Sequence, residues 1–459
     1  MIKGQVDFIS LGCSKNLVDT ERVMRQLEAA GWSCVHDPEK PNGEICVINT
    51  CGFIGDAKEE SIHMILQMAE RKKRGQLRQL IVMGCLSERY RAELEEEIPE
   101  VDRYFGKFDF EGIVERLKDA SLQDGASAYR LKDASLQGCK SFERKLTTPK
   151  HYAYLKISEG CNRMCSYCAI PLITGRHTSR PKAEILDEVR WLVSQGVKEL
   201  NVIAQDLSSY GTDLKTGEGL QVTGYGKHLL PELIDEMAQI EGVEWIRLHY
   251  AYPTDFPEEL LEVMAKRPNV CKYLDIALQH CTDHMLGLMR RHITRAEQDA
   301  LIRKIRERVP GICIRTTLLV GHPGETEEDF EALKEWVREM RFERMGCFAY
   351  SDEEGTYANR HYRDDIPQEV KEQRAAELMA IQQQISGELM QQLVGTTQRV
   401  IIDHKEGDWW IGRTQYDSPE VDCEVLIEIK NEKLKIKNGD FVDVKIVKAE
   451  EFDLFGEIG

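Results

Sequence analysis

Three cysteines that lie close together in the sequence have the spacing of iron–sulfur ligands. Cys161, Cys165 and Cys168 lie in the string GCNRMCSYCAIP, separated by three and then two residues. A 4Fe-4S cluster is normally held by four thiolates. Three thiolates leave one iron with an open position, much as a catalytic zinc keeps one position free for its substrate. The spacing therefore predicts a cluster whose fourth iron binds a further molecule.

In this spacing the usual occupant of the open iron is S-adenosylmethionine, chelated through its amino and carboxylate groups. An electron from the cluster then breaks a C–S bond and gives a deoxyadenosyl radical, while the protein supplies orientation and a dry pocket. Tyr167 inside the motif and the apolar run YAYLKI at residues 152–157 support this interpretation. The alternative is a zinc knuckle or a structural cysteine cluster. Those sites usually pair two C-x2-C hooks or add Cys/His spacings, and the neighbouring sequence has neither.

A second set of cysteines is spread over the first hundred residues. Cys13, Cys51 and Cys85 each follow an apolar run, namely FISLG, EICVINT and QLIVMG. These runs alternate with helix candidates near residues 16–30 and 56–73, which predicts a parallel α/β sheet. Neighbouring strand ends of such a sheet face one crevice. The three thiolates can therefore converge on a second cluster with one open iron, although three unrelated buried cysteines fit the spacing as well.

Length and composition set limits on the class of protein. A chain of 459 residues predicts roughly two to four domains. It has no run of 18 apolar residues, and its first residues do not read as a signal peptide, so neither a membrane span nor secretion is expected. Fourteen cysteines then indicate a reducing cytoplasm, where clustered cysteines are metal ligands or catalytic groups. The net charge of −18 disfavours sequence-independent binding of nucleic acid and suits a basic protein partner.

The pattern of apolar runs predicts an α/β protein with three domains. Residues 4–120 form the N-terminal parallel α/β domain, residues 121–146 a linker, and residues 147–388 a central core. In the core, six strand candidates alternate with helices, which indicates a partial (β/α)6 barrel rather than a closed barrel of eight. The strands are expected near residues 154–157, 199–204, 244–250, 272–278, 312–320 and 344–350. Active sites of such folds lie at the carboxyl ends of the strands, and the first cysteine motif follows strand one.

The tail, residues 389–459, changes character. Its short strands RVIID, DWWIGRTQ, EVLIEI, FVDVKIV and LFGEIG predict a small antiparallel β-barrel of the OB type. Trp409 and Trp410 in it either stack on bases, anchor a protein contact or are half-buried barrel residues. The string RLKDASLQ occurs at residues 116–123 and again at 130–137. Two copies are too few for a solenoid, so a duplicated surface helix or linker insertion is expected.

The order of the three regions, the six cysteines and several strings resemble the radical methylthiotransferases over nearly the whole chain. GCSKNLVDTE, NTCGFI and GCL look like the N-terminal domain of that family, GCNRMCSYCAIP like its radical core, and DSPEVD at residues 417–422 like its C-terminal TRAM domain. The resemblance implies two 4Fe-4S clusters. Cys161, Cys165 and Cys168 would hold the radical cluster that binds S-adenosylmethionine. The auxiliary cluster would be held by the other three cysteines.

The strings AQDLSSYG and LLVGHPGETEEDF look like cofactor-binding strand ends of the same family. The residues expected on this basis to contact S-adenosylmethionine are Tyr167, Gln205, Asp206, Gly321, Gly324 and Glu325. Each of these residues also has a possible purely structural role. The glutamine and the aspartate can cap a strand end, the glycines can form an ordinary turn, and the glutamate can be an acidic residue in the first turn of the following helix. Three departures from the family pattern lie nearby: His322 where the family usually has an aromatic residue, ALQHCT with Cys281 where it has a PLQH-S string, and ITGRHTSR where it has an RG-containing string. Cys281 either lines the site or is a buried core thiol.

The family has two main branches, and GCSKNLVDTE resembles the one that acts on a ribosomal protein. The resemblance implies transfer of a methylthio group to the β-carbon of an aspartate in small-subunit ribosomal protein twelve, free or on the ribosome. Two S-adenosylmethionine molecules would be used per turnover, together with a sulfur donor and a reductant such as flavodoxin or ferredoxin. No membrane partner and no direct sequence-specific nucleic-acid contact are expected.

The charge of the tail agrees with this branch. Residues 391–459 contain nine Lys/Arg and fifteen Asp/Glu. An RNA-binding barrel should be basic, whereas an acidic barrel complements a basic protein. Two rival functions stay open: a tRNA methylthiotransferase that acts on isopentenylated adenosine, and a non-catalytic iron–sulfur protein.

Overall fold

The computed structural model describes residues 4–53, 55–107, 109–120, 142–214, 228–428 and 435–458. The chain divides into two compact units. The first extends to Thr147 and includes Ala169–Arg176, and the second comprises Thr148–Cys168 and the chain from His177 onward. Most of the predicted linker and the second RLKDASLQ copy lie outside the described residues. None of the helices in the described ranges has the length and apolar character that a membrane span requires.

The first unit contains a five-stranded parallel sheet in the order β2-β1-β3-β4-β5. Its strands are β1 Gln5–Ser10, β2 Ser33–His36, β3 Ile45–Thr50, β4 Gln79–Gly84 and β5 Arg103–Tyr104. The parallel α/β prediction is confirmed, and the three cysteine-bearing runs are the adjacent strands β1, β3 and β4. The sequence did not predict β2 and β5, because four and two residues are too short to show a periodic apolar pattern.

Helices cover both faces of this sheet, as a buried parallel sheet requires. They are α1 Ser14–Ala29, α2 Gly55–Lys73, α3 Cys85–Arg89, α4 Arg91–Glu97, α5 Phe110–Ala120 and α6 Ile170–Thr174. Side chains alternate along β3, so that Ile45 and Val47 pack in the core with α1 and α5. Cys46 and Ile48 point to the opposite core, which contains residues of α2 and α4. Because both faces are buried, β3 is apolar without a polar alternation.

The second unit contains a six-stranded parallel sheet in the order β13-β12-β11-β10-β9-β6. Its strands are β6 Tyr152–Lys156, β9 Glu199–Ile203, β10 Trp245–Ala251, β11 Val270–Ile276, β12 Cys313–Val320 and β13 Arg344–Ala349, and the short strands β7 Ser158–Glu159 and β8 Thr178–Ser179 form a separate antiparallel pair. The two ends of the sheet, β6 and β13, do not pair. The six predicted strands and the open barrel are therefore confirmed.

The helices of the second unit follow the strands in βα order. They are α7 Lys182–Ser194, α8 Leu230–Met237, α9 Glu259–Lys266, α10 Asp283–Leu288, α11 Arg295–Arg308, α12 Glu327–Met340, α13 Tyr357–His361 and α14 Gln368–Gln391. Capping boxes start two of them, Thr294 with Glu297 at α11 and Thr326 with Asp329 at α12. Each box satisfies backbone N–H groups that the first helical turn leaves without partners. These caps set where each helix begins relative to the preceding strand end.

The tail forms a closed five-stranded barrel. Its strands are β14 Thr397–Glu406, β15 Trp409–Thr414, β16 Glu424–Glu428, β17 Phe441–Ala449 and β18 Asp453–Glu457. The predicted barrel is confirmed, but the expectation that all strands are antiparallel is wrong, since β16 and β18 pair in parallel. Five strands cannot alternate in direction all the way round a closed ring. An odd-numbered barrel must therefore contain a parallel pair.

A buried ion network joins the barrel of the tail to the open barrel of the core. The guanidinium of Arg413 on β15 donates to Glu199 on β9 and to Asp403 on β14, each at 2.7 Å. Arg247 on β10 donates to the other oxygen of Glu199 at 2.9 Å. Glu199, Arg247 and Arg413 are all buried. Each charge is paired, which is the condition for keeping ions in a low-dielectric interior.

The loop with the sequence DSPEVD, residues 417–422, docks on polar side chains of the core strands. Asp417 accepts from Arg344 at 2.6 Å, and Asp422 accepts from the hydroxyl of Tyr273 at 2.8 Å. Glu420 accepts from the hydroxyl of Tyr152 at 3.0 Å. Together with Asp403, these acids make four of the fifteen tail carboxylates that face the core. The acidic excess that the tail offers to a partner is therefore smaller than its composition indicates.

Replacing Arg413 with methionine is expected to destabilise the second unit strongly. The change leaves Asp403 with only the imidazole of His151 and Glu199 with only Arg247, and breaking a buried ion pair typically costs about 3–5 kcal/mol. Urea unfolding monitored by circular dichroism measures the loss. The control is Arg399→Met, because the Arg399–Glu244 pair also links tail and core but is about half exposed, and such pairs contribute about 1 kcal/mol or less. Equal losses in the two variants would contradict the expectation.

Candidate functional site

The cysteines of the C-x3-C-x2-C motif lie in the loop that follows β6 and β7 in the second unit. Cys165 is buried, whereas Cys161 and Cys168 are half-buried. Met164 has a φ of +55°, a left-handed conformation that reverses the chain just before Cys165. The backbone N–H of Cys168 then donates to the carbonyl of Cys165 at 3.1 Å. The loop therefore turns tightly around Cys165 beside the carboxyl end of the first core strand.

Hydrogen-bond donors surround two of these sulfur atoms. The backbone N–H of Arg163 donates to Sγ of Cys161 at 3.5 Å, and Nη1 of Arg291 donates to Sγ of Cys165 at 3.3 Å. The hydroxyl of Tyr252 lies 3.4 Å from the same sulfur of Cys165. Donors stabilise a thiolate more than a thiol, so this environment fits sulfur that binds metal as an anion.

The chemistry of the donor set fits thiolates that bind a cation. Burial raises the pKa of Cys161 to about 12, and the charge of Asp206 adds to the effect. A thiol with such a pKa loses its proton at neutral pH only when a cation takes its place. In the described part of the chain, no three His, Cys, Asp or Glu side chains are close enough to bind one metal ion.

Two of the predicted cofactor contacts lie at the carboxyl end of β9. The carboxylate of Asp206 accepts from Nε of Arg163 at 2.7 Å and from the hydroxyl of Ser209 at 2.6 Å. The amide of Gln205 donates to Glu159 at 2.7 Å. Within the described residues, Oδ1 of Asp206 and Oε1 of Gln205 are buried and accept no hydrogen bond. Buried acceptors without a donor are costly, so these two atoms fit the donor groups of a bound molecule.

Tyr167 lies between the second and third cysteines. Its hydroxyl accepts from Nη1 of Arg291 at 3.2 Å, and its ring packs edge-on against His322. Arg291 therefore contacts both Tyr167 and Cys165, so that one cation orders two residues of the motif. The proposed contact of Tyr167 with the cofactor stays a prediction.

Gly321 and Gly324 shape the loop after β12. Gly321 has a φ of +73°, and a Cβ there would lie 2.3 Å from the side chain of Lys371. Gly324 has a φ of +88°, and a Cβ there would lie 2.8 Å from Leu288. Backbone conformation and packing against these neighbours thus explain both glycines as turn residues. Their approach to a cofactor stays a prediction.

Glu325 is buried and holds the same loop together. Its Oε2 accepts from the backbone N–H of Gly321 at 2.7 Å and from Nη1 of Arg374 at 2.5 Å. Its Oε1 lies 3.3 Å from Nε2 of His280. Because α12 has Thr326 as its N-cap, Glu325 precedes the helix and is not a first-turn acid. The structure gives it a role in fixing the loop, while a contact with the cofactor stays a prediction.

His322 occupies the position where the family usually has an aromatic residue. The ring is buried and lies edge-on to the rings of Tyr167, Tyr350 and Tyr362. Nδ1 donates to the carbonyl of Pro323 at 3.0 Å, which leaves Nε2 to accept from the hydroxyl of Ser166 at 3.0 Å. Burial lowers the pKa of His322 to about 4. The imidazole is therefore neutral at physiological pH and packs as a planar ring among tyrosines.

The buried His322 is expected to make the fold sensitive to acid. Its pKa is about 4 in the folded chain and about 6.5 for an ordinary histidine in the unfolded chain, so the unfolded state binds more protons between these values. Stability falls as the pH drops from about 6.5 to about 4, by roughly 3 kcal/mol for this shift. Urea unfolding at pH 7.5 and pH 4.5 measures the effect, and His322→Phe should show the smaller loss. Equal losses of unfolding free energy in the parent chain and in His322→Phe would contradict this expectation.

In the first unit, the other three cysteines follow the neighbouring strands β1, β3 and β4. Cys13 is exposed and is the N-cap of α1, Cys51 is half-buried, and Cys85 is the buried first residue of α3. Gly12 has a φ of +100°, and a Cβ there would lie 2.9 Å from Cβ of Cys51 and 3.3 Å from its Sγ. A glycine is thus required where the loop after β1 approaches the loop after β3.

Asn16 links the same loops to Cys85. Its side-chain amide donates to the carbonyl of Thr50 at 3.1 Å and to that of Leu11 at 3.3 Å, and its Oδ1 accepts from Sγ of Cys85 at 3.5 Å. Burial raises the pKa of Cys85 to about 12, nearby Lys107 opposes this, and charge on the other two cysteines raises it further. The three cysteines thus follow neighbouring strands at one edge of the sheet, and a cationic group beside Cys85 would favour its thiolate.

Most polar neighbours of the cysteines have no recognisable signal in the sequence. Arg291 lies about 125 residues beyond the motif in the string LMRRHIT, which has no metal-ligand spacing. Tyr252 follows β10 and carries no local signal either. Asn16 lies inside GCSKNLVDTE, so its closeness to Cys13 in the sequence was the one available indication. Cys281 is buried and its Sγ donates to the carbonyl of Ala332 on α12, which matches the core-thiol alternative.

An open parallel (β/α)6 sheet with three cysteines after its first strand defines a radical S-adenosylmethionine fold. Family models agree: the Radical SAM superfamily matches residues 155–337, the Uncharacterized protein family UPF0004 residues 5–106, and the TRAM domain residues 394–458. A solved structure of the radical S-adenosylmethionine methyltransferase TsrM from Kitasatospora setae has a TM-score of 0.54. It covers 76% of this chain and 75% of that chain at 16% identity, so the likeness concerns the fold.

Close relatives extend over the whole chain. The ribosomal protein uS12 methylthiotransferase RimO of Bacteroides fragilis is 60% identical over 458 residues, which is 100% of both chains. The RimO proteins of Parabacteroides distasonis and Porphyromonas gingivalis are 55% and 54% identical over the same length. The chain belongs to the RimO family of radical S-adenosylmethionine methylthiotransferases, so the predicted family and branch are confirmed.

Proposed function

We propose that this chain transfers a methylthio group to the β-carbon of an aspartate in ribosomal protein uS12. One observation carries the proposal: in a chain with full-length RimO relatives, the first parallel sheet has one cysteine after each of three strands, and the second has three cysteines after its first strand. One open iron is needed to bind S-adenosylmethionine and another to present sulfur. A non-catalytic iron–sulfur protein needs neither, since four thiolates close a cluster.

In this proposal Cys161, Cys165 and Cys168 hold the radical cluster. The bound cluster and S-adenosylmethionine supply a radical that removes hydrogen from an unactivated C–H bond, a task beyond ordinary acid–base groups. The protein orders the ligands through Arg163 and Arg291, which donate to two of the sulfurs. Burial keeps water away from the reacting centre.

Gln205 and Asp206 are proposed to orient the cofactor. Their buried free acceptor atoms, Oε1 and Oδ1, match its ammonium and hydroxyl donors. Arg163 holds the Asp206 carboxylate through its other oxygen at 2.7 Å, and Glu159 holds the amide of Gln205. Both side chains are thus fixed before the cofactor binds, which reduces the entropy lost on binding. Tyr167, Gly321, Gly324 and Glu325 complete the proposed site.

Cys13, Cys51 and Cys85 are proposed to hold the auxiliary cluster, which supplies the sulfur that receives the methyl group. Asn16 fixes Cys85 relative to the ends of β1 and β3 through its three hydrogen bonds. Each turnover consumes an electron and a sulfur atom. The proposal therefore includes a small cytoplasmic reductant, such as flavodoxin or ferredoxin, and a sulfur donor.

We assign residues 4–120 to the auxiliary-cluster domain, 121–146 to a linker, 147–388 to the radical core and 389–459 to the TRAM domain. The tail is proposed to contact uS12 rather than nucleic acid. Trp409 is 36% exposed and packs edge-on against Phe455, while Trp410 belongs to the barrel core. The exposed Glu406 and Glu428 lie opposite Trp409 on the neighbouring strands, and such carboxylates complement a basic protein.

The test is an anaerobic reaction with S-adenosylmethionine, reductant and sulfide, which offers uS12 and isopentenylated tRNA side by side. Mass spectrometry of both substrates reads the product. A methylthio group on one aspartate of uS12 is the expected result. The same mass gain on the tRNA adenosine would overturn the proposed substrate and leave the proposed chemistry in place. If S-adenosylmethionine is cleaved with neither substrate, the proposed substrate and the proposed chemistry are both wrong.

A further inference from the structure

Arg291 places a buried positive charge against the radical cysteine motif. Nη1 donates to Sγ of Cys165 at 3.3 Å and to the hydroxyl of Tyr167 at 3.2 Å, and Nη2 donates to the carbonyl of Ala277. The guanidinium carbon lies 4.0 Å from the centre of the Tyr252 ring. Arg291 is 2% exposed. Its head group is therefore fixed in position and shielded from water.

This cation has no carboxylate partner. In the described ranges, no Asp or Glu lies within ion-pair distance of Arg291, whereas the buried Arg247 and Arg413 each pair with one or two carboxylates. Buried charges are normally paired or near a metal site, because leaving an ion uncompensated in a low dielectric is costly. Among its contacts, Cys165 is the group that becomes an anion when it binds iron. The thiolate thus supplies the missing counter-charge.

The backbone around Arg291 is built to direct the side chain inward. Arg290 and His292 have φ values of +56° and +53°, so left-handed residues flank Arg291 on both sides. Such conformations cost energy in residues other than glycine and persist where the surroundings enforce them. The carbonyl of Arg291 accepts from the hydroxyls of Tyr252 at 3.3 Å and Thr254 at 3.0 Å. Main chain and side chain are therefore both held in place.

We propose that Arg291 is a positioning residue that sets the reduction potential of the cluster bound by Cys165. This inference rests on the proposed function, which makes Cys165 a cluster ligand. Adding one electron makes the cluster and its thiolates more negative, and a fixed cation beside one sulfur stabilises the reduced form more than the oxidised form. Hydrogen bonds to cluster sulfurs act in the same direction. Arg291 thereby raises the potential and makes reduction by an electron carrier easier.

The experiment measures the midpoint potential by redox titration with electron paramagnetic resonance. The full-length chain carries Cys51→Ala, so that the radical cluster gives the signal. In that background we compare Arg291→Met, Arg291→Lys and the control Arg247→Met, which removes a buried arginine that pairs with Glu199 instead. Iron content and the change of the signal on adding S-adenosylmethionine show that each cluster is assembled and accessible.

Arg291→Met is expected to lower the ratio of reduced to oxidised cluster at least tenfold at fixed solution potential, a shift of about 59 mV for one electron. Arg291→Lys keeps the charge and loses the fork of donors, so its shift should be smaller and in the same direction. If the Arg291→Met chain does not assemble a cluster, the midpoint potential of the Arg291→Lys chain tests the inference instead. If the midpoint potential of the Arg291 variant moves no more than that of the Arg247→Met control, the inference about Arg291 is wrong and the proposed function is unaffected. A background chain that binds no cluster overturns the proposed function, and this inference with it.

Discussion

Replacing Cys161 with alanine is expected to abolish reductive cleavage of S-adenosylmethionine while the chain stays folded. Cys161 lies in a loop and is half-buried, so the substitution removes a ligand without opening a core cavity. Two thiolates do not retain a cube that three were placed to hold. Iron bound per chain should fall from about eight to about four, because one of the two proposed 4Fe-4S clusters is lost. Chromatography of the reaction mixture for deoxyadenosine measures cleavage directly.

The matched control is Cys281→Ala. Cys281 lies in the same unit, but its Sγ points to the carbonyl of Ala332 on α12 and not to the motif. Cleavage should therefore persist in this variant at the level of the parent chain. Deoxyadenosine from the Cys161→Ala protein would show that the C-x3-C-x2-C motif does not hold the cleaving cluster, and the assignment of this motif would then be wrong.

The sequence predicted the fold wherever an element is long and apolar. All six core strands and the three cysteine-bearing strands of the first unit were found, because buried parallel strands are continuous apolar runs. Strands β2 and β5 were missed, since two to four residues show no period. The direction of β18 was also missed. Its parallel pairing with β16 follows from closing a ring of five strands, which is a property of the whole barrel and not of any segment.

The candidate site was predictable where ligands are close in sequence or follow strand ends. The three motif cysteines satisfy the first condition, and Cys13, Cys51 and Cys85 the second. The groups that act on them come from distant segments: Arg291 reaches Cys165 from beyond β11, and its string contains no recognisable spacing. Tertiary contacts of this kind arise only when the sheet is assembled. The sequence therefore located the proposed metal ligands and not the charged groups that contact them.

The positions of the tail carboxylates also change how the net charge of the tail is interpreted. Counting residues treats every carboxylate as available, but Asp403, Asp417, Glu420 and Asp422 bond to arginines, tyrosines and a histidine of the second unit. These acids stabilise the docking of the barrel on the core. Full-length relatives named RimO identify the branch more firmly than composition does.

Replacing Cys51 with alanine is expected to separate the two halves of the reaction. The variant should still cleave S-adenosylmethionine, because the radical motif is untouched, but it should insert no sulfur into uS12. Loss of one of three ligands removes the auxiliary cluster and the sulfur that it supplies. Deoxyadenosine and the mass of uS12, measured in the same anaerobic reaction, should show cleavage without a methylthio product.

The control for this variant lies on the strand that precedes Cys51. Cys46 on β3 is buried in the core beneath α2 and precedes Cys51 by five residues. Cys46→Ala removes a buried sulfur of the same size from the same unit, so any loss that merely reflects weaker packing should appear there as well. Methylthio product from the Cys51→Ala protein would place the second cluster elsewhere. Product lost equally from both variants would show that folding of the first unit, and not sulfur supply, was impaired. Loss confined to Cys51→Ala ties sulfur insertion to the thiolates at the carboxyl edge of β1, β3 and β4.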